Sequence, residues 1–191
     1  MKKLNLKDVL IPTVALLVIC LVATTLLAVT NSITSEKIAL NAVETENASR
    51  SLVLPAAKNY GEVKTLENGI SYCVGTDSGD ETAGYVFTGG AKGYGGTVAV
   101  MVGFDTEGAI TGIEILSHAE TPGLGANATK DDFKGRFVGK TGILTVDKTS
   151  NSGQNIQAIT AATITSKAVV EAVNTITEAY IQVVQEVADN G

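Results

Sequence analysis

Four hydroxyl side chains stand close together in one uncharged stretch of a 191-residue chain: Thr160, Thr163, Thr165 and Ser166, within Gln157-Ala158-Ile159-Thr160-Ala161-Ala162-Thr163-Ile164-Thr165-Ser166. A long helical pattern follows at once. Val169, Val173, Ile176, Tyr180, Val184 and Val187 recur three or four apart, while Lys167, Glu171, Asn174, Glu178, Gln182 and Gln185 fill the opposite face. The hydroxyls therefore fall at a helix N-terminus. There the first backbone N–H groups lack partners and the macrodipole adds partial positive charge, so a phosphate is favoured. Alanines at 161 and 162 let a bulky group approach the backbone. A plainer reading is that Thr165 or Ser166 only caps the helix, expected from about Ser166 to Val187.

A second stretch is Ser117-His118-Ala119-Glu120-Thr121-Pro122-Gly123-Leu124-Gly125. Pro122-Gly123 makes a tight turn, and Gly125 adds a second permissive point. The stretch leaves the end of the clearest hairpin in the chain, Gly96–Phe104 and Ile110–Leu116, joined by Asp105-Thr106-Glu107-Gly108. Thr97 to Val102 is nearly all apolar, as in a central strand buried on both faces.

Ile70–Val74 and Gly84–Thr88 alternate with period two and read as strands. Lys64–Gly69 reads as a loop or turn. Gly89–Gly96 reads as a flexible connection; it lacks the G-x-x-x-x-G-K-[ST] spacing of a P-loop. Thr129–Val138 is expected as a short helix capped by Thr129, and Thr141–Asp147 and Asn155–Thr160 as the last strands. The fold class is α+β: one N-terminal transmembrane helix, then an antiparallel-sheet domain with a C-terminal helix.

The membrane reading comes from Val9–Val29, which carries no charge and is long enough to span a bilayer. Pro12 falls near its start, where a missing N–H is harmless. Lys2, Lys3 and Lys7 precede it and direct the N-terminus to the cytoplasm. The run is longer than a signal-peptide core, and no A-x-A site follows. The expected organisation is a cytoplasmic N-terminus at 1–8, a span at 9–29, a juxtamembrane helix or linker at 30–55 broken at Leu54-Pro55-Ala56, and an extracytoplasmic domain at 56–191.

Other chemistries find little support. A net charge of −6 argues against nucleic acid as a partner. Cys20 and Cys73 form no C-x-x-C or Cys/His cluster, so no iron–sulfur or zinc site is expected and both read as small hydrophobes. The lone His118 has no paired acid or nucleophile at a recognisable spacing. No Ser/His/Asp or paired-carboxylate arrangement points to a hydrolase.

Gln157 to Thr163 resembles the flavinylation motif D-x-x-[ST]-G-A-T, with Gln157 at the Asp position and Ala161 at the Gly position. Ile164-Thr165-Ser166 continues it as in the FMN-binding subunits RnfG and NqrC of the Rnf and Na+-translocating NADH:quinone reductase complexes. Glu120 to Gly125 matches the E-T-P-G-L-G segment of the same family, and Phe137 with Gly139-Lys140 follows its pattern. The resemblance implies FMN attached through a phosphoester to Thr163 by a separate flavin transferase. It also implies that Thr160, Glu120, Thr121, Leu124 and Gly125 line the flavin, with Leu124 against the ring and Thr121 at its polar edge. Thr163 has no evident base, so the chain is a substrate of flavinylation and carries no catalytic residue of its own.

The implied role is electron relay within an Rnf-type complex that couples ferredoxin/NAD electron transfer to Na+ or H+ movement. The single span has no charge, so the ion path would belong to other subunits. Two alternatives are a stand-alone anchored flavoprotein serving an extracellular reductase and an anchored binding module without a cofactor.

Overall fold

The computed structural model describes residues 6–189. Lys2 and Lys3 of the expected basic flank lie outside them. The chain divides into two units, Met1–Glu44 and Thr45–Gly191.

Helix α1 runs Leu6–Val53. Within it, Leu10–Ser35 is long and apolar enough to cross a membrane, with a mean hydropathy of 2.6. Several of its hydroxyls bond back within the helix: Thr24 Oγ1 donates to the carbonyl of Cys20, Thr25 Oγ1 to Leu21 and Thr30 Oγ1 to Leu26, the pattern a hydrocarbon environment would favour. Because α1 begins at Leu6, Pro12 sits inside the helix and not at its start. It cannot donate to the carbonyl four residues back. The stretch after the apolar run, where a helix or linker was equally open, is helical up to Val53, and Leu54-Pro55 ends it.

The second unit is built on a six-stranded antiparallel sheet. Its strands are β1 Asn59–Tyr60, β2 Lys64–Thr65, β3 Ser71–Thr76, β4 Thr82–Lys92, β5 Thr97–Phe104 and β6 Ile110–Ser117. The order is β1-β3-β4-β5-β6, with β2 also pairing on β3. Two expectations need correction. The segment expected as a turn at Lys64–Gly69 begins with the short strand β2. The first half of the glycine-rich connection is strand: Gly89, Gly90 and Ala91 pair with Val100, Ala99 and Val98, which leaves a tight turn at 93–96. Pairing with an apolar neighbour overrides the weak strand propensity of glycine.

The hairpin at Asp105–Gly108 has local causes. Asp105 Oδ1 accepts the N–H groups of Glu107 at 2.9 Å and Ala109 at 2.8 Å, and Gly108 supplies φ +85°. Strand β5 is buried on both faces, as its apolar run predicts. Val98, Val100, Val102 and Phe104 face one core. Met101 faces a second with Val53, Leu54, Cys73 and Val86. Here the backbone of Val53 lies against paired glycines Gly103 and Gly112, and a Cβ on Gly103 would meet the Val53 carbonyl.

Helix α3, Thr163–Asp189, covers the first face. Val169, Val173, Ile176 and Tyr180 are buried on it, as the periodicity predicts. The Tyr180 ring stacks on Phe104 with centroids 4.6 Å apart, and its hydroxyl reaches the Asp105 carbonyl at 3.3 Å. Each fully buried Val or Ile contributes about 1.5–3 kcal/mol, so this stripe holds the helix to the sheet.

Between β6 and α3 the chain forms a 3-10 helix at Gly125–Thr129, helix α2 at Asp131–Lys134, and strands β7 Thr145–Asp147 and β8 Asn155–Gln157. The last two form a small parallel sheet, both shorter than expected. Thr129 does not cap α2. It closes the 3-10 turn, its hydroxyl bonded to the Ala126 carbonyl, and Lys130 occupies the cap position.

Candidate functional site

Helix α3 starts three residues earlier than its apolar stripe suggests, at Thr163. Neither Thr165 nor Ser166 is therefore its cap. The turn before it is pinned by Ser166, whose Oγ accepts the Ile159 N–H at 2.9 Å and donates to the Ala162 carbonyl at 3.0 Å. Ala161 takes φ +60° to make that turn. The left-handed conformation is unfavourable for any residue with a Cβ, which gives the Gly position of the motif its physical reason. The first bond of the helix runs from Ser166 N–H to Ala162. The N–H groups of Thr163, Ile164 and Thr165 therefore precede the helical ladder, where an anion is favoured.

These residues open on a cleft of about 460 Å³. Its walls come from three places: Tyr94 on the β4–β5 turn, the loop with Glu120, Thr121, Leu124 and Gly125, and the α3 start from Ala161 to Thr165. The loop has the geometry that Pro122-Gly123 demands. Gly123 has φ +78°, and the Leu124 N–H returns to the Thr121 carbonyl at 3.2 Å. Gly125 is needed for space, not for a positive φ. A Cβ there would stand 2.5 Å from both Glu120 Oε2 and Thr165 Oγ1.

Glu120 is 6% exposed and joins all three walls. Its Oε1 accepts the Gly95 N–H at 3.0 Å, and its Oε2 accepts the Thr165 hydroxyl. Its own N–H donates to His118 Nδ1 at 3.2 Å. Burial pushes its carboxyl pKa up. Hydrogen bonds from Thr165, Gly95 and Tyr94 outweigh this and hold it below the usual glutamate value. Gly93 and Gly95 also press on this corner: a Cβ on either would approach Glu120 or Ala119 closer than 3.0 Å.

The structure thus brings Thr163, Glu120, Thr121, Leu124 and Gly125 to one cleft. It does not bring Thr160 there. Thr160 is exposed and lines a separate polar depression of about 280 Å³ with Gln157, Asn127, Lys130 and Arg136. There Arg136 Nη1 donates to the Gln157 carbonyl at 2.7 Å, and its guanidinium pairs with Asp132. Sequence reasoning missed Tyr94 and Ile164. The one signal for Tyr94 is an aromatic set among Gly93, Gly95 and Gly96. Among the described residues no cluster of His, Cys, Asp or Glu is suited to a metal. Cys73 is buried, and burial raises its thiol pKa, as expected of an inert core residue.

The cleft suits a flavin nucleotide in size and lining. It has the volume of a small-molecule site, an apolar wall from Tyr94, Leu124 and Ile164, and a helix start at the hydroxyl end. An FMN-binding domain matches residues 93–178, from the β4–β5 turn into α3. The chain is 38% identical over 159 residues to the G subunit of the proton-translocating ferredoxin:NAD(+) oxidoreductase complex of Clostridium ljungdahlii, covering 83% of this chain and 84% of that one. It is 37% identical over 183 residues to the G subunit of the Na(+)-translocating ferredoxin:NAD(+) oxidoreductase complex of Acetobacterium woodii, covering 86% and 88%. The chain belongs to the RnfG family. The NqrC fold is similar too. The C subunit of the Na(+)-translocating NADH-quinone reductase of Parabacteroides distasonis aligns with TM-score 0.50 and 25% identity, over 58% of this chain and 61% of that one. NqrC of Shewanella oneidensis aligns with TM-score 0.50 at 20% identity, over 62% and 64%, a likeness of fold alone.

Proposed function

We propose that the chain is the FMN-bearing electron-transfer subunit of an Rnf-type ion-translocating complex, with the FMN phosphate esterified to Thr163 Oγ1. The observation that carries this is the position of Thr163. It is the first residue of α3, it lines the cleft, and its hydroxyl lies where backbone N–H groups and the helix dipole favour a phosphate. The flavin supplies one- and two-electron redox chemistry. The protein supplies a fixed phosphate end, an apolar wall and a polar corner ordered by Glu120.

Among the described residues Glu120 is the only carboxylate on the cleft, and its two oxygens already serve Gly95 and Thr165. It is poorly free to take the Thr163 proton, which fits esterification by a separate transferase. The relatives' names assign protons to one complex and Na+ to another at nearly equal identity. Choice of ion accordingly rests with other subunits, in keeping with a span at Leu10–Ser35 that carries no Asp, Glu, Lys or Arg. In this reading Leu10–Ser35 anchors the chain, the N-terminus is cytoplasmic and the unit from Thr45 lies on the outer side.

The test is co-expression with a flavin transferase, followed by denaturing electrophoresis and peptide mass of the fragment containing Thr163. Flavin fluorescence should persist on the denatured band and the fragment should carry FMN. Thr163→Ala should lose both, and Thr160→Ala should keep both. A colourless wild-type band with an active transferase would overturn the reading. Copurification with multi-span membrane subunits separates a member of a complex from a stand-alone flavoprotein.

A further inference from the structure

The geometry points to Tyr94 as the aromatic platform against which the flavin ring stacks, an inference that rests on the function proposed above. Tyr94 is 72% exposed although it sits at the tip of a turn whose backbone is held on both sides. The Gly93 N–H bonds to the Gly96 carbonyl at 2.8 Å, and the Gly95 N–H bonds to Glu120. Neither Gly93 nor Gly95 has room for a side chain, since a Cβ on each would collide with Glu120 or Ala119. The turn is therefore a rigid mount for one large ring. A tyrosine so mounted and left uncovered leaves a π-face available to a ligand.

The neighbours define the ligand's chemistry. Leu124, 43% exposed, and Ile164, 56% exposed, line the same cleft. Together the three offer apolar surface broad enough for a planar heteroaromatic system. The phosphate-favouring end of the cleft lies at Thr163. A nucleotide held there by its phosphate finds its broadest apolar surface for the ring on Tyr94, Leu124 and Ile164. Stacking on an aromatic face needs no hydrogen-bond code, so it suits a ring whose edge must stay open to redox partners. The tyrosine hydroxyl can remain in water while its face covers the ring.

The experiment uses the full-length flavinylated chain in detergent, comparing wild type, Tyr94→Leu and Tyr94→Phe. Flavin content is fixed by absorbance after denaturation. Native emission per flavin and visible circular dichroism are then read. A phenol stacked on an excited flavin donates an electron and quenches it. Tyr94→Leu should therefore raise emission several-fold and change the visible dichroism. Tyr94→Phe should raise emission but keep the dichroism, because the ring still stacks. Wild-type emission and dichroism in Tyr94→Leu, at full flavin content, would overturn the inference while leaving the covalent site intact. Absence of flavin from the denatured wild-type chain would instead overturn the function on which it rests.

Discussion

The carboxylate of Glu120 accepts the hydroxyl of Thr165, two residues beyond Thr163 and 45 residues away in sequence. Through its other oxygen the same carboxylate holds the turn that carries Tyr94. One buried side chain thus sets the distance between the phosphate end of the cleft and its aromatic wall. A family motif in which this acid touched only the cofactor would have no need of that pairing.

Removing the hydroxyl partner leaves a buried acceptor short of a bond, at a cost of about 1–3 kcal/mol. Thr165→Val should accordingly lower Tm, with Thr165→Ser largely restoring it. Thermal unfolding followed by circular dichroism in detergent checks this. A Thr165→Val chain as stable as wild type would show that the bond is not important.

The pH dependence has a definite sign. Glu120 has a folded pKa below the ordinary glutamate value it takes when unfolded. Its contribution is therefore fully present above that value and is lost as pH falls through the depressed folded pKa. Between neutral pH and pH 5 it should change little; below that, wild type should lose stability more steeply than Glu120→Gln. Tm measured across this range for both chains decides the matter, and parallel curves would contradict it.

Ala161 offers a stabilising change. Its φ of +60° costs about 1 kcal/mol more for an alanine than for a glycine, offset in part by the glycine's greater freedom when unfolded. Ala161→Gly should raise Tm slightly, and the β-branched Ala161→Val should lower it. The ranking of the three chains is the measurement, and an inverted order would be incompatible with the backbone described.

Space at Gly125 is equally testable. A Cβ there falls 2.5 Å from Glu120 Oε2 and Thr165 Oγ1, so Gly125→Ala must part them. Overpacking of this kind costs about 1–3 kcal/mol. Flavin attachment and Tm should fall together in Gly125→Ala, while Gly123→Ala, with open space around it but φ +78°, should affect the loop alone.

Much of the fold was legible from local signals. The α3 stripe, the apolar run of β5 and the Asp105–Gly108 turn each follow from neighbours in sequence, and each is seen. The α+β class followed from them. The errors fall where distant partners decide. Gly89 and Gly90 read as a loop until β5 pairs with them. Thr129 reads as a cap until the 3-10 turn claims its hydroxyl. Within the cleft, the loop and the helix start were legible as motifs. The joint between Glu120 and Thr165 was not, because no periodicity or turn chemistry links residues so far apart. Tyr94 was hidden by its glycines, which signal flexibility in a sequence but here fence a carboxylate.

That fence ties the inheritance of Glu120, Gly125 and Thr165 together. A shorter acid at 120 alone gives no room for a methyl at 125, because a Cβ there would still stand 2.5 Å from Thr165 Oγ1 and 2.9 Å from the Cβ at 120. Aligned descendants should therefore exchange these residues as a set, and a lone alanine among them would mark a lineage in which the corner has been rebuilt.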